Sequence, residues 1–335
     1  MILNSLSRKE RLEIYREAHN TLGFSAVIIE KDWWVTAVLR ALFSLPYAES
    51  LSFKGGTSLS KCYHLIERFS EDIDIAVYRD FLGYGGKLSK TQINDKLRRA
   101  ACSFVRDRLQ VDLKNQLETN GLNAADFSVK VNITPVTTTD PEIIEVEYQS
   151  LFDEIKYIKR KVIVEVSGRS MREPLQRIKL QSMMDEVFPK ADFTEKPFEI
   201  NVVVPERTFW AKICLLHEEF ARPQELIRTE RMSRHLYDLE KMMDTPIAYN
   251  ALKNKRLYDS IVEHRRVFIG LKDFDYATLM TQTIQIVPPD NSLAQWQQDY
   301  ETMQRTMIYG HSISFGKLME RIKQLNGRIN HIDWQ

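Results

Sequence analysis

FKGGTSLSKCYHLIERFSEDIDIAV (residues 53–77) decides how this chain is read, because Asp72 and Asp74 stand inside an apolar run that otherwise looks like a buried strand. On a strand, residues i and i+2 share a face, so the two carboxylates lie side by side while Ile73 and Ile75 face the other way. Like charges that close repel, and burying them unpartnered costs on the order of several kcal/mol, so they must be solvated or neutralised by a cation. Carboxylates in partly hydrated, oxygen-rich surroundings suit Mg²⁺, which bridges to phosphate oxygens. Gly55 and Gly56 supply the other half. They let backbone approach a ligand, and the start of the helix that follows offers N–H donors and a positive dipole end to a phosphate. The blander alternative is a pair of solvated aspartates beside an ordinary tight turn. The coupling of the two features across one helix favours the phosphate reading.

Working outward, SLSFKGG gives a short strand, Thr57 or Ser58 caps a helix through Arg68, and DIDIAVY (72–78) alternates like a second strand. Upstream, Ser7 is the N-cap of a helix through Ala18, and EKDWWVTAVLRALFSL (30–45) has helical spacing up to Pro46. Downstream, 90–118 suits a long amphipathic helix on the outside of a sheet, and FSVKVNI (127–133), IIEVEY (143–148) and KVIVEVS (161–167) read as strands. From about Pro205 the pattern turns helical. The fold class is therefore α+β, a mixed sheet with flanking helices followed by a helical C-terminal domain, divided as 1–200 and 201–335. Trp33, Trp34 and Trp210 read as core.

The frame agrees. With 335 residues and 43% hydrophobic content the chain is long enough for a sizeable core, and 47 basic against 46 acidic residues leave no global basic excess to announce nucleic acid. Cys62, Cys102 and Cys214 show no metal-ligand spacing and fit reduced, buried thiols. No signal-like or membrane-length apolar stretch is present, which points to the cytoplasm.

Two-metal phosphoryl or nucleotidyl transfer usually needs a third carboxylate on a neighbouring strand. Glu165, a single acid in an apolar strand, is the candidate; its alternative is a strand-end carboxylate paired with Arg169. Glu142, Glu145 and Glu147 read as an exposed edge. Arg68 and Ser70 lie close enough in sequence to the aspartates to contact phosphate, although Glu67 or Glu71 would equally pair Arg68. Lys212 sits beside the apolar stripe of Phe209, Ile213 and Leu216, where a snorkelling surface lysine is the alternative to a functional one. His217 and His235 read as hydrogen-bonded structural histidines. Lys156, Lys159, Arg160, Lys161, Arg169 and Arg172 flank the Glu165 strand, either as a guide for RNA or triphosphate or as a solvated face.

Gly-Gly-Thr, a helix, Asp-x-Asp on a strand and a later strand carboxylate resemble the nucleotidyltransferase superfamily with its polymerase-β-like fold. More narrowly, IIEKDWWVTAVLRALF, FKGGTSLSKCYHLIERFSEDIDI, PERTFWAKICLLHEE, SRHLYDLEKM and QQDYETMQRTMIYGHSISFGKLMERI resemble the AbiEii/AbiGii toxin family of bacterial nucleotidyltransferases, found in abortive-infection and toxin–antitoxin phage-defence systems. The resemblance implies that Gly55, Gly56, Thr57, Ser58, Arg68 and Lys212 bind nucleotide and that Asp72, Asp74 and Glu165 bind metal. Together with Lys212 and Asp238, those carboxylates would form the catalytic set. Lys212 would contact the triphosphate as a point charge. Two departures stand out: 14 residues separate Thr57 from Asp72, and His235 stands where the family often has an acid.

The activity implied is Mg²⁺-dependent transfer of NMP from an NTP to an acceptor hydroxyl, with RNA such as tRNA favoured and an antitoxin encoded nearby. The alternatives are a nucleotide-binding regulatory protein without turnover, and a partner-binding protein working through its helical half.

Overall fold

The computed structural model describes residues 2–70, 72–132, 142–153, 159–170 and 173–334. Glu71, Ile133, Lys156 and Arg172, named above, lie outside them. The chain divides into two compact units, Met1–Cys62 with Ser70–Val202, and Tyr63–Phe69 with Val203–Gln335. This departs from a single boundary at 200/201 chiefly because the short segment Tyr63–Phe69 groups with the C-terminal half.

The first unit opens with α1 (Arg8–Leu22), started by a Ser7–Glu10 capping box and stopped by Gly23 in the left-handed region. α2 (Ala26–Phe43) is buried over most of its circumference. β1 (Leu51–Lys54) leads directly into α3 (Gly55–Lys61), and β2 is Asp72–Tyr78. The expected helix through Arg68 thus ends at Lys61, and its start lies at Gly55 rather than behind a Thr57 or Ser58 cap. The amphipathic stretch that follows is helical from Gln92 to Thr119, made of α4 (Arg98–Phe104) and α5 (Gln110–Thr119), with a wider π turn preceding each.

β3 (Phe127–Asn132), β4 (Glu142–Tyr148) and β5 (Lys161–Ser170) match the expected strands; β6 (Leu175–Leu180), α6 (Met183–Val187) and β7 (Phe198–Val203) complete the unit. Among the described residues these make one seven-stranded sheet, order β3-β4-β5-β2-β1-β7-β6. β1 and β2 run antiparallel, whereas β2 and β5 are parallel, so the sheet is mixed. β4 lies between β3 and β5, which corrects the edge-strand reading of its glutamates: Glu142 is 4% exposed and ion-paired with Arg106 at 3.2 Å.

The second unit is helical: α7 (Pro205–Phe220), α8 (Ser233–Met242), α9 (Pro246–Lys253), α10 (Lys255–His264), α11 (Leu293–Thr306) and α12 (Phe315–Asn330). The segment 66–69 runs antiparallel to 307–310, with Phe69 N–H donating to Met307 O at 2.7 Å and Tyr309 N–H to Glu67 O at 3.0 Å. Among the described residues no helix is long and apolar enough to cross a membrane.

Candidate active site

The aspartates are tolerated in their apolar strand because β2 is two-faced. Leu51, Phe53, Ile73, Ile75, Val77, Val164 and Val166 are each no more than 1% exposed and form one face of the central strands. Burying side chains of this size stabilises by roughly 1.5–3 kcal/mol each, which secures the strands while the opposite face carries charge. On that opposite face Asp74 pairs in register with Lys54 of β1 and with Glu165 of β5, and Asp72 pairs with Ile163. Cross-strand partners point to the same side. Lys54, Asp74 and Glu165 therefore form one row across three strands, with Asp72 one step along.

Glu165 sits in mid-strand, not at a strand end. Lys54 was not singled out in sequence, although it directly precedes the glycines. Among the described residues, Asp72 Oδ1 is buried without a hydrogen-bond partner, an arrangement that is costly for a carboxylate unless a donor or cation meets it. Among the described residues no group of three or more His, Cys, Asp and Glu closes into a metal-holding geometry. The carboxylates share a face rather than a closed cage.

The glycine turn is built against this face. Gly55 has φ +82°, and a Cβ there would meet the Asp74 carboxylate, with Cγ at 2.7 Å. Only glycine satisfies both the backbone and the space. The Thr57 hydroxyl donates to the Asp72 carbonyl at 2.5 Å and lies 2.9 Å from Ser70 Oγ; the Ser58 hydroxyl donates to the Gly55 carbonyl at 2.9 Å. The Thr57 hydroxyl thereby fastens the turn to β2, while the Ser58 hydroxyl closes the turn on itself, so both hydroxyls are engaged inside the protein.

Arg68, Lys212 and Asp238 come together in the helical unit. Arg68 grips Asp238 through Nε at 2.7 Å and Nη2 at 2.8 Å, while Nη1 donates to the Phe69 carbonyl at 3.3 Å. Lys212 Nζ lies 2.8 Å from Asp238 Oδ2 and 3.4 Å from His235 Nδ1. All four residues are buried. Lys212 is thus an interior ion-pair partner, which corrects the snorkelling reading, and Arg68 pairs with Asp238 rather than with Glu67. Glu67 instead meets Lys241 at 3.2 Å.

Burial opposes the charge on Asp238, but Arg68 and Lys212 more than offset it and hold the carboxyl well below the usual range. Burial, with Arg68 adding to it against the pull of Asp238, lowers the Lys212 pKa. Burial, then Lys212 and Arg234, drive the His235 imidazole far down, leaving it neutral.

His217 accepts from Gln285 N–H at 3.0 Å and lies 3.1 Å from Thr278 Oγ1, in keeping with a structural histidine. Trp33, Trp34 and Trp210 are core at 3% exposure or less, and all three cysteines are buried. Of the basic run, Lys161 is ion-paired with Glu145 at 2.6 Å and Arg160 donates to the Phe152 carbonyl at 2.7 Å.

A mixed sheet presenting paired carboxylates beside a glycine turn agrees with the nucleotidyltransferase class that the family comparison gives. Residues 37–321 match the family model described as nucleotidyl transferase AbiEii toxin, type IV TA system. The chain belongs to this AbiEii family of nucleotidyltransferase toxins, and a toxin of a type IV system implies an antitoxin. Among solved structures it is similar to MenT4, a nucleotidyltransferase toxin from Mycobacterium tuberculosis H37Rv, at 16% identity and TM-score 0.55, covering 98% of this chain and 91% of that one. It is also matched by JHP933 from Helicobacter pylori at 14% identity and TM-score 0.38, with 88% of each chain covered. The MenT4 likeness bears on the fold and agrees with the α+β class. No curated protein matches.

Proposed function

We propose that this toxin transfers NMP from an NTP to an acceptor hydroxyl with Mg²⁺ as cofactor, and that the acceptor is RNA, tRNA being favoured. The observation that carries the reading is the register of Asp74 with Glu165 beside the buried, unpartnered Asp72 Oδ1. Such carboxylates fit a hard divalent cation in donor chemistry, and Gly55 leaves the Asp74 carboxylate its room. Asp72 and Asp74 would hold Mg²⁺, with Glu165 as the shared third ligand; the ion would supply charge neutralisation at the phosphates.

The chain's own residues do the rest. The Gly55-Gly56 turn admits the phosphates against backbone amides, with Thr57 and Ser58 locking it. Glu165 takes the proton from the acceptor hydroxyl as its oxygen bonds to Pα and the bond from Pα to the pyrophosphate oxygen breaks. In the helical unit, Arg68 already balances Asp238, so Lys212 gives that cluster a surplus positive charge. The site of action proposed is the cytoplasm.

The test is incubation with each labelled NTP, Mg²⁺ and total bacterial RNA. Label transferred to RNA supports the reading. NTP binding without transfer to RNA, protein or lysate components would favour the regulatory alternative.

A further inference from the structure

We propose that Lys31 and Asp32 of α2, flanked by the equally buried Glu30, are positioning residues for the transfer, because one helix fastens both the element that carries the glycine turn and the strand that carries Glu165. The inference rests on the nucleotidyl-transfer reading of that face. Adjacent helical residues point about 100° apart, so three in a row fan out over about 200° of the helix circumference. All three are 5% exposed or less, and buried charges need partners.

Each finds its partners on a different element. Glu30 takes the Leu151 N–H at 2.8 Å and the Ser150 hydroxyl, just past β4. Lys31 donates to the Lys159 carbonyl at 3.1 Å and to the Lys161 carbonyl, at the head of the strand that bears Glu165. Asp32 pairs with Lys61 in the last turn of α3 and takes the Met183 N–H at 2.8 Å, at the start of α6.

The helix α3 has seven residues, of which the first two are Gly55 and Gly56. Thr57 holds its front end to the Asp72 carbonyl, and Asp32 holds its back end through Lys61. So short an element has no length of its own to absorb slack. A displacement on the order of 1 Å at reacting groups is enough to cost up to about a hundredfold in rate.

The experiment uses the full chain as wild type, Asp32→Asn, Lys61→Met, their double variant and Lys61→Arg, well below the melting temperature. Two quantities are read: kcat and KM for labelled-NTP transfer, and amide hydrogen exchange across 53–61 with 205–220 as internal control. Each uncharged single variant is expected to lower kcat by about tenfold and speed exchange at 55–61 but not in the control. The double variant is expected to be no worse than the poorer single, and Lys61→Arg to recover both readouts. Unchanged exchange at 55–61, or kcat within about twofold of wild type in folded singles, or fully additive losses, each overturns the proposal. If Asp32→Asn fails to fold, Lys61→Met against Lys61→Arg carries the comparison. A wild type that transfers no NMP refutes the transferase reading, while the exchange arm still decides whether the clamp holds the turn.

Discussion

Asp72 and Gly55 respond to substitution in opposite ways. Because Asp72 Oδ1 is buried without a hydrogen-bond partner among the described residues, Asp72→Ala removes an uncompensated buried acceptor and is expected to abolish transfer with the melting temperature held or raised. Gly55→Ala must place a side chain at φ +82° and against Asp74, so it is expected to cost about 1–3 kcal/mol in urea unfolding as well as activity. In the buried cluster, Asp238→Ala strands two cations and is expected to cost about 3–5 kcal/mol, whereas Lys212→Met leaves the Arg68–Asp238 pair whole and costs clearly less. Equal losses on unfolding would contradict the charge assignment. At this scale the carboxylates were legible because strand period two places them without knowledge of any neighbour. The inward hydroxyls of Thr57 and Ser58 were not, because their partners at Asp72 and Gly55 exist only once the turn has closed.

Local pattern read most elements correctly and failed where a distant partner decides. The residues Tyr63–Phe69 look like a continuation of α3, yet His64 takes φ +51° and the chain then pairs with 307–310, about 240 positions away. No window around residue 65 contains that information. The edge strand β6 was missed because Arg177 and Lys179 interrupt its apolar pattern, and β4 was misplaced at an edge because pairing order is not local. The pairing of 66–69 with 307–310 yields its own test. A Cβ on Gly310 would run into the Glu67 side chain, so Gly310→Val is expected to destabilise the helical unit by about 1–3 kcal/mol and to speed hydrogen exchange at 67–69. Protection unchanged at 67–69 would show that the pairing tolerates the bulk.

For the whole molecule, acid should be destabilising well before carboxylates titrate. Burial leads in lowering the pKa of both His235 and His217, so each binds a proton less readily folded than unfolded. Below the unfolded value of about 6.5 the unfolded chain therefore takes up more protons, and stability falls with pH by up to about 1.4 kcal/mol per unit for each such histidine. His235→Gln is expected to flatten part of that slope between pH 7 and 5 in chemical denaturation, and an unchanged slope would mean that His235 is not held neutral. Asp238, also depressed, keeps its contribution until far more acid conditions. In a bacterial host, a toxin that acts by catalysis should arrest growth as wild type and not as Asp74→Ala. Equal arrest by both would move the harm to a binding activity.

Whether Asp72, Asp74 and Glu165 form a metal-dependent nucleotidyl-transfer face is decided by label transfer from each α-labelled NTP to bacterial RNA by wild type and Asp74→Ala, with Mg²⁺ titrated from zero. Transfer by the wild type is expected to rise with Mg²⁺ and vanish in chelator, and Asp74→Ala is expected to transfer none at any Mg²⁺ concentration while remaining folded. Near-wild-type transfer by Asp74→Ala, or wild-type transfer that needs no divalent cation, would contradict that assignment.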